Sequence, residues 1–515
     1  MIDDRTVDLV RRSLAPETVE PFEARVADQA DWLRAAIDDG RMDNADFAVG
    51  LEMEVYAIEE GRGGEPPRLA RLPEGVFDAP AASKELGLHN VEVNTAPTVL
   101  DGPGLATQAD AIREQTAAAR AAAREHGRDL VLDAMWTLPP AEGSTAYLSA
   151  VDERAGVTVA ENMRPAPRYV AIDNDCLRQA EGSITLDVPG ATLTFPTILF
   201  ESLATSIQPH LQVPTAAAFP AYYNAAIRTL GPLLALSANS PFLPADCYDG
   251  VADPAALVDA THHELRIAAF EQSVNHTPSP KVRVPRDVET TTDVVDRVVA
   301  DDLYAPFCRE WLADDERETL ADRVWEFDHK RGTYWRWLRC VVGGDHVDAE
   351  NDEYSLRIEY RPLPTQPTVT DVIGLQALTA GLLRGLVAAD HPIADLPWEA
   401  AEASFYAAVE DGLDADLAWL TADGERTADP ETIFAEVFTY ARAGLERAGV
   451  PDADVDRYLA PIEARWDART TPSAWKTARV REALADGADL ADAIVEMQRD
   501  YVRLSDAHDA FVDWL

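Results

Sequence analysis

Lysine is nearly missing from this 515-residue chain. Lys84, Lys281, Lys330 and Lys476 are all it has, so arginine carries almost all of the positive charge. The 45 basic residues stand against 91 acidic ones, a formal net charge of −46. That balance leaves no broad basic surface and excludes nucleic acid as a partner. The acid is spread along the whole chain, which reads as adaptation to a concentrated-salt cytoplasm where screening makes self-repulsion tolerable. A protein that binds a basic partner is the alternative. Cysteine is scarce as well. Cys176, Cys247, Cys308 and Cys340 are widely spaced, with no Cys-x-x-Cys pair, which excludes structural zinc and points to a reducing compartment. The opening Met1-Ile2-Asp3-Asp4-Arg5 lacks an apolar segment, so no signal peptide is expected and a cytoplasmic location is. Long apolar runs are lacking too. The best, residues 373–389, is broken by Gln376 and Arg384, so no membrane span is expected. There is no Gly-x-x-x-x-Gly-Lys-Ser/Thr phosphate loop and no Gly-x-Ser-x-Gly elbow, which argues against P-loop and serine-hydrolase chemistry.

What is present is a folded chain with 47% hydrophobic residues, long enough for two or three subdomains. Residues 1–45 read as an N-terminal helical extension, 46–395 as a catalytic α+β sheet domain, and 396–515 as a helical subdomain with no strand after Trp398. The organising stretch is Gly50-Leu51-Glu52-Met53-Glu54-Val55. Side chains two apart on a strand share a face, so Glu52 and Glu54 point one way and Leu51, Met53 and Val55 the other. The pattern returns in Val91-Glu92-Val93-Asn94, in Gln208, His210 and Gln212 of residues 207–213, and in Leu356-Arg357-Ile358-Glu359-Tyr360-Arg361. These segments predict one sheet with its back on helices and its front carrying polar side chains. Alanine-rich residues 105–126 predict a helix. Residues 219–236 predict a helix interrupted near Gly231-Pro232, and 370–389 a helix capped by Thr370. Residues 137–185 read as loop-rich, with the segment around Arg168-Tyr169 lining an entrance or forming a short helix.

Carboxylates and an imidazole suit magnesium or manganese, and magnesium commonly works by bridging nucleotide phosphates. Arginines on a neighbouring strand hold a phosphate or a carboxylate bidentately. Together these fit activation of a carboxylate as an acyl phosphate by ATP, followed by attack of an amine. Each group also has a plainer reading. Glu52, Glu54 and Glu92 are surface glutamates on an edge strand, His210 is a hydrogen-bonded histidine, and Arg357-x-Glu359-x-Arg361 is a salt-bridge ladder on one face.

The motifs resemble a known family. Gly50-Leu51-Glu52-Met53-Glu54 is similar to its opening G-x-E-x-E strand, and Asn90-Val91-Glu92-Val93-Asn94-Thr95 to its second acidic strand. Ser206-Ile207-Gln208-Pro209-His210-Leu211-Gln212 resembles its Q-x-H strand. Ala235-Leu236-Ser237-Ala238-Asn239-Ser240-Pro241-Phe242 is the most specific match, and Arg357-Ile358-Glu359-Tyr360-Arg361-Pro362 resembles its late E-x-R strand. This is the type 2 glutamate–cysteine ligase, or carboxylate–amine ligase, family, here with the charge of a halophilic archaeon. The resemblance implies an antiparallel sheet funnel of the glutamine synthetase/guanidino kinase type, with helices on the outer face. It implies ATP, Mg2+ (or Mn2+) and small amino-acid substrates. Glu52, Glu54, Glu92, His210 and Glu359 would then be metal ligands. Gln208, Arg361 and Asn94 would bind the nucleotide, and Arg361, Arg357, Arg336 and Arg339 would hold the reacting groups. The chain departs from the family pattern at Asp246-Cys247-Tyr248-Asp249-Gly250 and at Ala407-Ala408-Val409-Glu410-Asp411-Gly412-Leu413, changes expected to touch the substrate end. A phosphotransferase on the guanidino-kinase fold and a non-catalytic nucleotide or amino-acid sensor are the rival readings.

Overall fold

A computed structural model describes residues 2–61, 65–312, 319–343 and 354–515. Its centre is a nine-stranded sheet in which every pairing is antiparallel. The strands are β1 (Ala48–Glu59), β2 (Arg68–Leu69), β3 (Ser83–Lys84), β4 (Asn90–Asn94), β5 (Thr98–Val99), β6 (Asp129–Val131), β7 (Ile207–Val213), β8 (Leu338–Val342) and β9 (Leu356–Tyr360). They run in the order β8-β9-β7-β1-β4-β3, and β2, β5 and β6 also pair with the long β1. The register decides which side chains meet. His210 lies opposite both Gly50 and Glu359, and Glu359 lies opposite Arg339. Glu52 sits between Gln208 and Asn94, and Glu54 lies opposite Glu92. Directly opposed residues share a face, so in-phase registers across five strands gather the polar positions on one side.

Leu51, Met53, Val55, Val91 and Val93 face the other side and are buried. The helices Gly102–Glu125 and Val369–Ala388 cover them. The first is capped by Asp101, which accepts from the Gly104 backbone N–H at 2.7 Å. The cap of the second is Thr368, not Thr370: its hydroxyl accepts from the Asp371 N–H at 3.2 Å. Val369–Ala388 is long and apolar enough to cross a membrane, yet most of it is buried inside the fold as a core helix. The helix Pro430–Arg447 crosses it at Gly381, Gly385 and Gly444. A Cβ on Gly385 would lie 1.8 Å from the Tyr440 carbonyl oxygen, and one on Gly444 1.9 Å from that of Gly381. Only glycine permits this approach.

Three sequence expectations are corrected. Phe219–Ser237 is one continuous helix through Pro232. Gly231 serves packing there, since a Cβ would meet the Ser404 carbonyl oxygen of the Trp398–Asp411 helix at 2.8 Å. The C-terminal region does hold strand, a hairpin of Trp419–Leu420 with Arg426–Thr427 that turns through Gly424 at φ +76°. The stretch read as loop-rich contains the hairpin of Val151–Arg154 with Val157–Ala160, while the helix Pro167–Gln179 is the one expected around Arg168-Tyr169.

The N-terminal helices Asp4–Ser13 and Pro16–Asp38 are tied to the rest of the chain. Glu23 accepts from the buried Lys330 at 2.9 Å, and Gln29 donates to Glu326 at 2.6 Å. Both partners lie on the helix Trp325–Arg331, whose Asp328 and Arg331 reach the polar face of the sheet.

Candidate active site

The polar face of the sheet floors a groove with two lobes that meet at Glu52. The first is a cavity of about 410 Å³ holding Glu54, Glu85, Glu92 and Glu201, with Lys84, Arg168, Arg331, Arg339 and Arg361 around them. The second, of about 460 Å³, is lined by Gly50, Asn94, His210, Gln212, Ser355 and Arg357.

In the groove, two groups of ligand-type atoms each lie within 4.8 Å of one another: Glu54, Glu85 and Glu92, and separately Glu52, His210 and Glu359. The first set is oxygen-only and strongly self-repelling. Burial, then the charges of Glu92, Glu54 and Glu201, pushes Glu85 well above the ordinary carboxylate range. Burial and Glu52 push Glu92 up to about 8. Burial and Glu54 push Glu201 up to about 8. Glu54 is raised by burial, although it accepts from the Ser206 N–H at 2.7 Å and from the Gln208 side-chain amide at 3.1 Å. Carboxylates crowded in this way fit a hard divalent cation, which would relieve the repulsion that protonation otherwise relieves.

The second set is organised differently. Glu359 is almost fully buried and accepts a bidentate pair of hydrogen bonds from Arg339, at 2.5 and 2.8 Å, and a third from Arg361 at 2.6 Å. Burial opposes its ionisation, but the two guanidinium groups outweigh burial and hold it well below its usual range. Arg357 donates to His210 Nδ1 at 2.9 Å. An arginine has no acceptor, so this bond leaves the ring proton on Nε2, which faces Glu52 Oε1 at 3.4 Å. At that distance the buried Nε2 has no hydrogen-bond partner among the described residues, and it lies within cation-holding reach of Glu52 and Glu359.

Most sequence candidates therefore converge on one groove. Glu52, Glu54, Glu92, Gln208, His210, Arg339, Arg357, Glu359 and Arg361 meet there, and Asn94 donates to Glu92 at 2.7 Å. Arg336 does not. It precedes β8, turns away from the groove and pairs with Asp301 at 2.6 Å. The departures from the family pattern also lie elsewhere: Asp246 accepts from the Ser144 N–H at 2.7 Å, and Gly412 packs against His263. Glu85, Glu201, Arg168 and Arg331 line the groove without having been singled out. Glu85 lies next to the two-residue β3, and Glu201 lies in the 3-10 turn Ile198–Leu203, where alternation carries no signal. Arg168 lies in the segment expected to line an entrance, and its Nε is buried without a partner among the described residues.

Residues 48–503 match the model of glutamate–cysteine ligase family 2. No curated protein sequence matches the chain. Among solved structures, the fold is similar to glutamate–cysteine ligase from Francisella tularensis, solved in complex with AMP. The TM-score is 0.51 at 13% identity, covering 91% of this chain and 90% of that one. A bifunctional glutathione synthetase from Pasteurella multocida aligns with a TM-score of 0.49 at 14% identity, over 89% of this chain and 52% of that one.

Proposed function

The chain belongs to glutamate–cysteine ligase family 2, and from that premise we propose that it is an ATP-dependent carboxylate–amine ligase. It would activate a carboxylate, the γ-carboxylate of glutamate by family likeness, as an acyl phosphate. An amino group would then displace the phosphate to form an amide. The observation that carries this reading is the juxtaposition of the Glu54–Glu85–Glu92 cluster with Arg339, Arg361, Arg168 and Arg331 in one groove. A magnesium or manganese ion held by Glu54, Glu85 and Glu92 would neutralise phosphate oxygens of the nucleotide. Arg168 has no carboxylate partner among the described residues, Arg331 pairs only with the half-exposed Asp328 at 2.6 Å, and both suit a substrate carboxylate or the transferred phosphoryl group. Arg361 bonds both Gln208, at 2.9 Å, and Glu359, so it is held in one orientation toward the groove. Glu359 thereby acts as the anchor of Arg339 and Arg361. The second lobe has Arg357 as its single arginine and suits the uncharged end of the nucleotide. The setting that fits the −46 charge is a cytoplasm of high salt.

The test is a screen of amino-acid pairs with ATP and magnesium in concentrated potassium chloride, reading phosphate release and product mass. Phosphate released only when both an acid and an amine are present, with an amide product, supports the ligase. A stable phosphorylated product formed without an amine would establish the phosphotransferase instead, and nucleotide binding without turnover the sensor.

A further inference from the structure

A second cavity, of about 620 Å³, lies outside the groove and is lined by four arginines: Arg283, Arg286, Arg297 and Arg336. Acidic residues outnumber basic ones two to one in this chain, so a cavity where arginines outnumber carboxylates runs against the composition. The three carboxylates are Glu271, Asp301 and Glu402, and two of them are occupied. Asp301 is neutralised between Lys281 and Arg336. Glu271 accepts from the Trp337 indole N–H and the Tyr406 hydroxyl, each at 2.8 Å, and burial raises it to about 7.

The arginines are placed by backbone. Arg283 and Arg336 lie side by side in a parallel bridge, and the Trp337 N–H donates to the Arg283 carbonyl at 3.0 Å. Arg297 donates only to the carbonyls of Arg286 and Asp287, so its charge has no carboxylate partner among the described residues. The half-buried Arg283 guanidinium has neither an ion pair nor a hydrogen bond there. Burial and the neighbouring Arg336 and Arg286 make its charge costly as it stands. Like charges held together while the nearby carboxylates are already engaged call for an anion.

We propose that this cavity is a binding site for a small oxyanion of two or more negative charges, of phosphate or polycarboxylate type, held by Arg283, Arg297 and Arg336. Its wall is shared with the groove. On the helix Leu265–Val274, Phe270 and Val274 face the groove while Glu271 faces the anion cavity. In the strand lead-in, Trp335 faces the groove while Tyr334 and Arg336 face the cavity. The anion is therefore placed to act as an effector rather than as a substrate.

The full chain is titrated by calorimetry with inorganic pyrophosphate and, separately, with citrate, at one fixed potassium chloride concentration. Binding of either, weakened about tenfold or more in Arg283→Ala, is expected from the loss of a charge-assisted hydrogen bond. The preferred anion identifies phosphate or carboxylate as the source. Arg283→Lys, which keeps the charge, should retain most of the affinity and serves if the alanine variant fails to fold. Arg361→Ala, which alters the groove, should leave this binding unchanged. The proposal is overturned by absence of binding for both anions, by equal affinity in Arg283→Ala, or by loss of binding in Arg361→Ala, which would place the anion in the groove. None of these outcomes depends on turnover, so failure here is distinct from failure of the ligase reading.

Discussion

Replacing Glu85 by glutamine should stabilise the cation-free protein and abolish its stabilisation by a divalent cation. The ligand oxygens of Glu54, Glu85 and Glu92 lie within 4.8 Å of one another. At an effective dielectric of about 20, two full charges at that separation repel by roughly 3.5 kcal/mol. Partial protonation already relieves part of this, so removing one carboxylate should return about 1–2 kcal/mol. Glutamine keeps the oxygen that accepts from the Leu86 N–H at 2.9 Å, so the local backbone is preserved. An unfolding entropy of about 2.1 cal/mol/K per residue gives a chain of this length roughly 1.1 kcal/mol/K, so the melting temperature should rise by about 1–2 °C in chelator. A cation present at about 100 times its dissociation constant adds about 2.7 kcal/mol to the native protein, or roughly 2–3 °C, and little to the variant. Differential scanning calorimetry at pH 7.5–8 in potassium chloride, with EDTA or with manganese, measures both. A variant that melts lower in EDTA would show that Glu85 is an attractive partner and not a member of a repelling cluster. An unchanged manganese response would remove Glu85 from the ion's shell.

Glu359→Gln strips Arg339 and Arg361 of their shared buried carboxylate and should cost about 3–5 kcal/mol, read as a fall in melting temperature; an unchanged melt would mean the ladder carries no stability. In chelator, stability should fall as pH rises from 4.5 toward 8, because Glu92, raised to about 8, keeps a proton in the folded state that the unfolded chain has released. Saturating manganese should flatten that slope and release protons into a weakly buffered solution, and melts across pH with and without the ion test this. Gly385→Ala puts a methyl group against the Tyr440 carbonyl and should destabilise by about 1–3 kcal/mol despite alanine's better helix propensity, measured by circular dichroism melting.

The groove was legible because period-2 alternation survives wherever strands are long. Glu52, Glu54, Glu92, His210 and Glu359 each alternate with apolar neighbours, and the antiparallel registers then bring them into one row. Glu85 and Glu201 were not legible, since their positions are set by a short edge strand and a 3-10 turn whose placement depends on tertiary packing. The family resemblance put Arg336 at the groove together with Arg339. The strand begins only at Leu338, and the preceding turn sends Arg336 to the other side of the wall. Alternation also hid the internal partners. It put Glu359 on the polar face and offered its ladder with Arg361, but not the bidentate clamp from Arg339 on the neighbouring strand.

The burial of Lys281, Lys330 and Lys476 leaves Lys84 as the exposed side-chain amine, standing at the edge of the groove beside Glu85. Amine-directed labelling, usually scattered over a protein surface, therefore has a single side-chain address here. The rate at which that one amine is modified, followed by intact mass, becomes a direct gauge of whether the groove is filled. A fluorophore placed there would report occupancy without any engineered cysteine.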